Sequence, residues 1–170
     1  GVLRSRLTEK LRQLDPALSL HDLRIVPGKT HTNVLFDLVL PAGYAGDKVE
    51  LLLDMAPRRV YANPSVRADA GKVCLMRGPL VYCLEQVDNG ANLSALYLPT
   101  DSPVTETFRA DKLQGITELK AMGKRAEQNG DEALYRYSAP RKNAVELTFI
   151  PYYAWANRGE NEMCVWIKEG

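Results

Sequence analysis

The 170 residues hold one ordinary domain, or a small module joined to a larger one, and at 45% hydrophobic and 25% charged they match average globular composition. A formal net charge of +1 gives no global attraction to nucleic acid or to an acidic membrane. No apolar run reaches the roughly 18 residues of a membrane span, and GVLRSRLTEKLRQL lacks the apolar core of a signal peptide, so a reduced, cytoplasmic location is expected.

Residues 2–14 place Val2, Leu3, Leu7, Leu11 and Leu14 at spacings of three and four, which predicts an amphipathic helix. Asp15-Pro16 ends it, because the residue before proline disfavours helical backbone. Residues 18–26 and 32–40 are β-rich and flank Pro27-Gly28-Lys29, which predicts a hairpin. PAGYAGD at 41–47 is a break in texture, after which the pattern becomes all-β. Strands are predicted at 48–54, 58–62, 72–76, 80–86, 94–98, 145–150 and 162–168, at spacings that favour a sandwich. Residues 111–121 read as a short helix or a strand, and 123–133 as an exposed loop. The expected architecture is mainly β: a jelly-roll-like antiparallel sandwich at 43–170, preceded by a short α-β-β segment at 1–42. That segment is too small to stand alone; it packs on the sandwich, forms a homodimer, or belongs to something larger.

Cys74 and Cys83 lie in KVCLMRGPLVYCLE, an apolar run broken by Arg77-Gly78-Pro79. Runs without alternation suit strands buried on both faces, where a thiol is a small, unreactive hydrophobe. A Cys74–Cys83 disulfide requires neighbouring strands and an oxidising compartment. Gly78-Pro79 predicts a bend, and Arg77 is expected to pair with Glu85 or Asp88 or to remain solvated. With Cys164 the thiols are too scattered for a zinc site, and a catalytic pair with His21 or His31 has no supporting spacing.

Asp88-Asn89-Gly90 is turn chemistry. Tyr152, Tyr153 and Trp155 could stack on the C–H faces of a sugar, with Asn157 and Arg158 supplying hydrogen bonds to its hydroxyls. The same residues also suit a core strand or a contact between domains. Alternation along a strand would send Tyr153 and Trp155 to one face and Tyr152 to the other. Neither GxGxxG nor GxxxxGK occurs, and basic residues are not clustered with aromatics, so phosphate-loop and nucleic-acid functions are excluded.

ANPSVRADAGKV, MRGPLVYCLE, DNG and PYYAWANRG occur in an order that resembles the C-terminal β-sandwich region of glycoside hydrolase family 127, the β-L-arabinofuranosidases. The resemblance spans about residues 43–170. It implies a catalytic (α/α)₆ barrel lying upstream, which carries a zinc-bound cysteine nucleophile and its glutamate partners. No matching segment is found here, so Cys74, Cys83, Glu50 and Glu85 inherit no catalytic role and no catalytic residue is assigned. LRQLDPALSLHDLRIVPGKTHTNVLFDLVLP at 11–41 is similar to the start of the cytoplasmic domain of cation diffusion facilitators. That similarity implies half of a ferredoxin-like fold, a dimerising segment, and two zinc ligands, His21 and Asp37.

Together these readings predict a non-catalytic accessory β-sandwich of a β-L-arabinofuranosidase-like enzyme, with no resident cofactor unless zinc binds at its start. Its partner is the catalytic barrel or a carbohydrate. The alternatives are a stand-alone carbohydrate-binding module, and a chimeric chain with a metal-responsive dimerisation segment.

Overall fold

The computed structural model describes residues 2–27, 32–39, 54–127 and 134–170. The chain divides into two compact units, Gly1–Leu53 and Asp54–Gly170. The predicted seam at 41–47 and most of the strand expected at 48–54 lie outside the described residues.

The first unit contains α1 (Val2–Leu14), β1 (Ser19–Pro27) and β2 (Thr32–Val39). Leu7 and Leu11, one turn apart on α1, are buried in one small cluster with Leu18 and Leu20, and Leu23, Phe36 and Leu38 pack against it. Leu14, expected on the same apolar stripe, is exposed at the end of the helix. The helix stops where Asp15 N–H donates to Leu11 O, and the Asp15 carboxylate accepts from Ala17 N at 2.8 Å, a local turn that competes with another helical residue. β1 and β2 pair antiparallel, with an irregularity between His21 and Arg24 where Asp22 takes φ +45°.

The second unit is almost entirely β. Its strands are β3 (Pro57–Tyr61), β4 (Lys72–Arg77), β5 (Leu80–Glu85), β6 (Leu96–Leu98), β7 (Val104–Arg109), β8 (Ile116–Glu127), β9 (Arg141–Pro151), β10 (Met163–Cys164) and β11 (Ile167–Glu169), with a single helical turn, α2 (Gln86–Asn89), after β5. Pairing runs β4–β5–β9–β8–β6–β11 and returns from β11 to β4, so the sandwich-like arrangement closes on itself. β3 flanks β4, β7 flanks β8 and β10 flanks β5. The β6–β11 pair is parallel and the others are antiparallel.

Two buried clusters lie on opposite faces of β5. Tyr82 and Leu84 join Leu75, Leu93, Leu96, Leu119, Leu147 and Phe149 in the main core. Cys83 faces the other way, with Ile116, Ile150 and Ala154. This two-sided burial explains why the stretch around the cysteines lacks alternation. The bend between them is a two-residue hairpin turn in which Arg77 pairs with Leu80, and Gly78 takes φ +55°, the sign that the first central residue of a II′-type turn needs. Arg77 does not reach Glu85 or Asp88. It pairs with Glu106 of β7 at 2.5 Å, because β4 places it beside that strand rather than near the end of β5.

The expectation for the middle of the chain changes most. Residues 116–127 form one long strand, which extends into the stretch read as a loop, and 162–168 splits into β10 and β11. Gly123 shows why a glycine sits inside β8. A Cβ there would lie 2.3 Å from Leu147 Cδ1 and 2.7 Å from Tyr97 O. Gly123→Ala is therefore expected to overpack the β8–β9 contact and cost about 1–3 kcal/mol. Urea unfolding checks it, through a lower midpoint at unchanged slope.

Candidate functional site

Past Pro151 the chain leaves β9 and turns through one 3₁₀ turn, Tyr152–Ala154. With three residues per turn, positions 152 and 155 share a side. The Tyr152 and Trp155 rings accordingly lie 6.1 Å apart at an interplanar angle of 35°. The strand-based expectation that Tyr152 would oppose Trp155 is thus replaced by a ring pair, because the backbone here is not extended. Tyr152 and Tyr153 are each 44% exposed and Trp155 37%. Partial burial raises the Tyr153 phenol above its ordinary range.

This aromatic turn is tied down from below by Glu85, at the end of β5 and 0% exposed. One carboxylate oxygen accepts from Ala156 N at 3.0 Å and from Asn161 Nδ2 at 3.5 Å. The other accepts from Arg158 Nη2. Arg158 also grips Asp88 bidentately, at 2.8 and 2.6 Å. Hydrogen bonds to Asp88 hold the Arg158 guanidinium more firmly charged than usual. Burial pushes the Asp88 carboxyl up, but hydrogen bonds from Arg158 and Lys112 outweigh it, so its pKa falls below the ordinary value.

The chain of charges continues. Lys112 Nζ bridges Asp88 at 2.7 Å and Glu118, 1% exposed, at 2.5 Å; Arg109 reaches Glu118 at 3.2 Å and Asp111 at 2.7 Å. Carboxylates and cations alternate from Glu85 to Asp111, which is how buried charge is accommodated. Of these groups the sequence names Arg158 as a reader of hydroxyls, and Glu85 and Asp88 as partners of Arg77 rather than of Arg158. The available signal was Glu85 itself, a carboxylate ending an apolar run.

The two polar groups expected to face a sugar are engaged elsewhere. Asn157 Nδ2 donates to Ala154 O at 3.1 Å and to Trp155 O at 3.2 Å, and Arg158 is taken up by the carboxylates. Asn89, read as a turn residue, has a second role. Its carboxamide donates to Thr148 O and to Glu85 O and accepts from Thr148 N, all at 2.9–3.0 Å. It thereby continues the β5–β9 ladder one step beyond the Leu84–Phe149 pair.

Cys74 and Cys83 are buried, Cys164 is half-buried, and all three thiols are free. Desolvation pushes Cys74 and Cys164 up to about 11 and Cys83 to about 12, far from the thiolate that a nucleophile requires. In the first unit His21 and Asp37 are direct partners across the hairpin and both are exposed. His21 Nε2 lies 3.2 Å from Ser19 Oγ. Two donors are half of a zinc site's usual four, and among the described residues no group of three or more His, Cys, Asp or Glu is placed to hold a metal ion. Among the same residues, no helix is long and apolar enough to cross a membrane.

Comparison with known proteins places this geometry. Residues 57–168 match the family model described as glycoside hydrolase family 127 C-terminal domain. Over 129 residues the chain is 42% identical to a non-reducing end β-L-arabinofuranosidase of Bifidobacterium longum subsp. longum, covering 71% of this chain and 20% of that protein. It superposes on the crystal structure of a GH127 β-L-arabinofuranosidase from Geobacillus stearothermophilus T6 with a TM-score of 0.67 and 40% identity, over 82% of this chain and 21% of that one. A further GH127 β-arabinofuranosidase gives a TM-score of 0.62 at 38% identity, over 69% of this chain and 18% of that one. The chain spans about a fifth of the length of these relatives.

Proposed function

We propose, from the premise that the chain belongs to glycoside hydrolase family 127 through its C-terminal domain, that it is the non-catalytic accessory domain of a β-L-arabinofuranosidase-type enzyme and braces the catalytic part. The observation that carries this reading is the match of residues 57–168 to that domain, together with a relative of which the aligned segment covers 20%. The chemistry of the domain supports it. Hydrolysis of a glycoside by paired carboxyl groups needs both to face the sugar, whereas Glu85 and Glu118 are buried and clamped by Arg158, Lys112 and Arg109. Thiol attack needs a thiolate, and burial opposes one at all three cysteines.

A chromogenic β-L-arabinofuranoside tests the proposal. The 170-residue chain alone is expected to give no turnover above buffer. Turnover that disappears in Cys83→Ala or Glu118→Gln, with the fold intact, would overturn the accessory role. The exposed Tyr152–Trp155 pair favours one competing reading, direct contact with carbohydrate. Titration with arabinose oligosaccharides, followed by Trp fluorescence, separates the two readings. The accessory role predicts no saturable change, and a saturable change abolished by Trp155→Ala establishes the carbohydrate reading instead.

A further inference from the structure

We infer that the aromatic turn Tyr152–Trp155 is a preorganised docking platform for the rest of a family 127 chain, the part that precedes this domain in its relatives. The inference rests on the accessory role proposed above and names the surface through which that role is exerted. Its first support is composition: two tyrosines and a tryptophan within four residues, each more than a third exposed. Rings of this kind dominate the buried centres of protein interfaces, where they supply large contact area at low cost in side-chain entropy.

The second support is the way the turn is held. Ala156, directly after Trp155, sits at φ +63°, a left-handed conformation that costs a residue with a Cβ on the order of 1 kcal/mol. Such strain persists only where the surroundings enforce it. Here they do, since the fully buried Glu85 accepts the Ala156 N–H and Arg158 locks the next turn of the chain. The backbone that follows the rings is thus held before any partner arrives, which reduces the ordering cost of association.

The third support chooses the occupant. Sugar sites combine apolar walls with polar groups aimed at the ligand. Around this turn Asn157 and Arg158 are consumed by internal hydrogen bonds. What remains is a ring-lined surface whose neighbours Arg158 Nε and Asn161 Oδ1, though without hydrogen bonds, are buried out of a ligand's reach, which suits an apolar patch of protein. The relatives carry about four-fifths of their length outside the matched segment, and that portion is the natural partner.

The test places residues 54–170 of this chain where the Bifidobacterium longum relative has its matching segment, with Tyr152→Cys as a label site. Maleimide labelling is read peptide by peptide by mass spectrometry, in the hybrid and in the isolated 170-residue chain. Cys74 and Cys83 are buried and give a slow background, and the half-buried Cys164 is told apart by its own peptide. Labelling at position 152 is expected to be at least about tenfold slower in the hybrid, as for a residue inside an interface core. Equal labelling in both overturns the platform. If the hybrid is insoluble, the labelled chain is titrated with the Geobacillus enzyme stripped of its matching segment; protection supports the platform and its absence overturns it. Protection of the isolated chain by arabinose oligosaccharides also overturns it, in favour of a sugar site. Turnover by the isolated chain would instead defeat the accessory role, so the two failures are distinguishable.

Discussion

Replacing Arg158 by methionine is expected to destabilise the second unit by about 3–5 kcal/mol, because it removes one partner from a buried charge pair. Glu85 is fully buried and would lose its cation, and Asp88 would keep only Lys112. Methionine preserves much of the side-chain volume, so the loss reports charge rather than packing. For a domain of this size the melting temperature should fall by on the order of 15 °C. The double variant Glu85→Gln with Arg158→Met should recover a good part of that loss. Glutamine still accepts from Ala156 N, and no uncompensated charge remains at that position. A double variant no more stable than Arg158→Met alone would contradict this account. The pH dependence follows from Asp88, whose native pKa lies below the ordinary value of 3.8. Its contribution is present above that value and is lost as the pH falls through the depressed native pKa. The difference between wild type and Arg158→Met should therefore narrow in acid, below about pH 4.

Phe149→Ala should cost a similar amount, about 3–5 kcal/mol, for a different reason. Phe149 lies on β9 where that strand pairs with β5 through Leu84 and with β8 through Leu119. It is fully buried, and the strands around it leave little room for collapse into the space of a missing ring. Guanidinium unfolding of wild type, Phe149→Leu and Phe149→Ala should show a graded loss, with leucine retaining more than half of the difference. A loss below about 1 kcal/mol for alanine would place Phe149 outside the core, which buried aromatic truncations do not allow.

Much of the fold is legible where residue type dictates local backbone. Asp15-Pro16 ends the helix, the β-rich runs on either side of residues 28–31 pair as a hairpin, and the two apolar runs around Gly78-Pro79 are strands joined by a turn. β7 is harder to read because VTETFR is solvent-exposed along most of its length and carries no apolar alternation. β8 is also disguised, since its buried residues include Glu118 on one face and Gly123 on the other, which read as polar and as a breaker. Both make sense only in three dimensions: Glu118 meets Lys112 and Arg109, and Gly123 yields to Leu147. The aromatic turn was visible as a cluster of rings. Its geometry was not, because the 3₁₀ turn depends on Glu85, a residue 71 positions from Ala156.

The closed circuit of strands has a kinetic consequence. Its closing link is β11, which joins β6 to β4, and there Ile167 finds Val73 from 94 positions away along the chain. The Glu85 anchor and the Tyr82–Pro151 pairing are also long-range. Chains whose native contacts span such distances must close large loops before any pairing compensates the lost entropy. They fold on the order of milliseconds to seconds rather than microseconds. The short β11 is thus a latch, and until it engages, the edges of β4 and β6 stand open side by side.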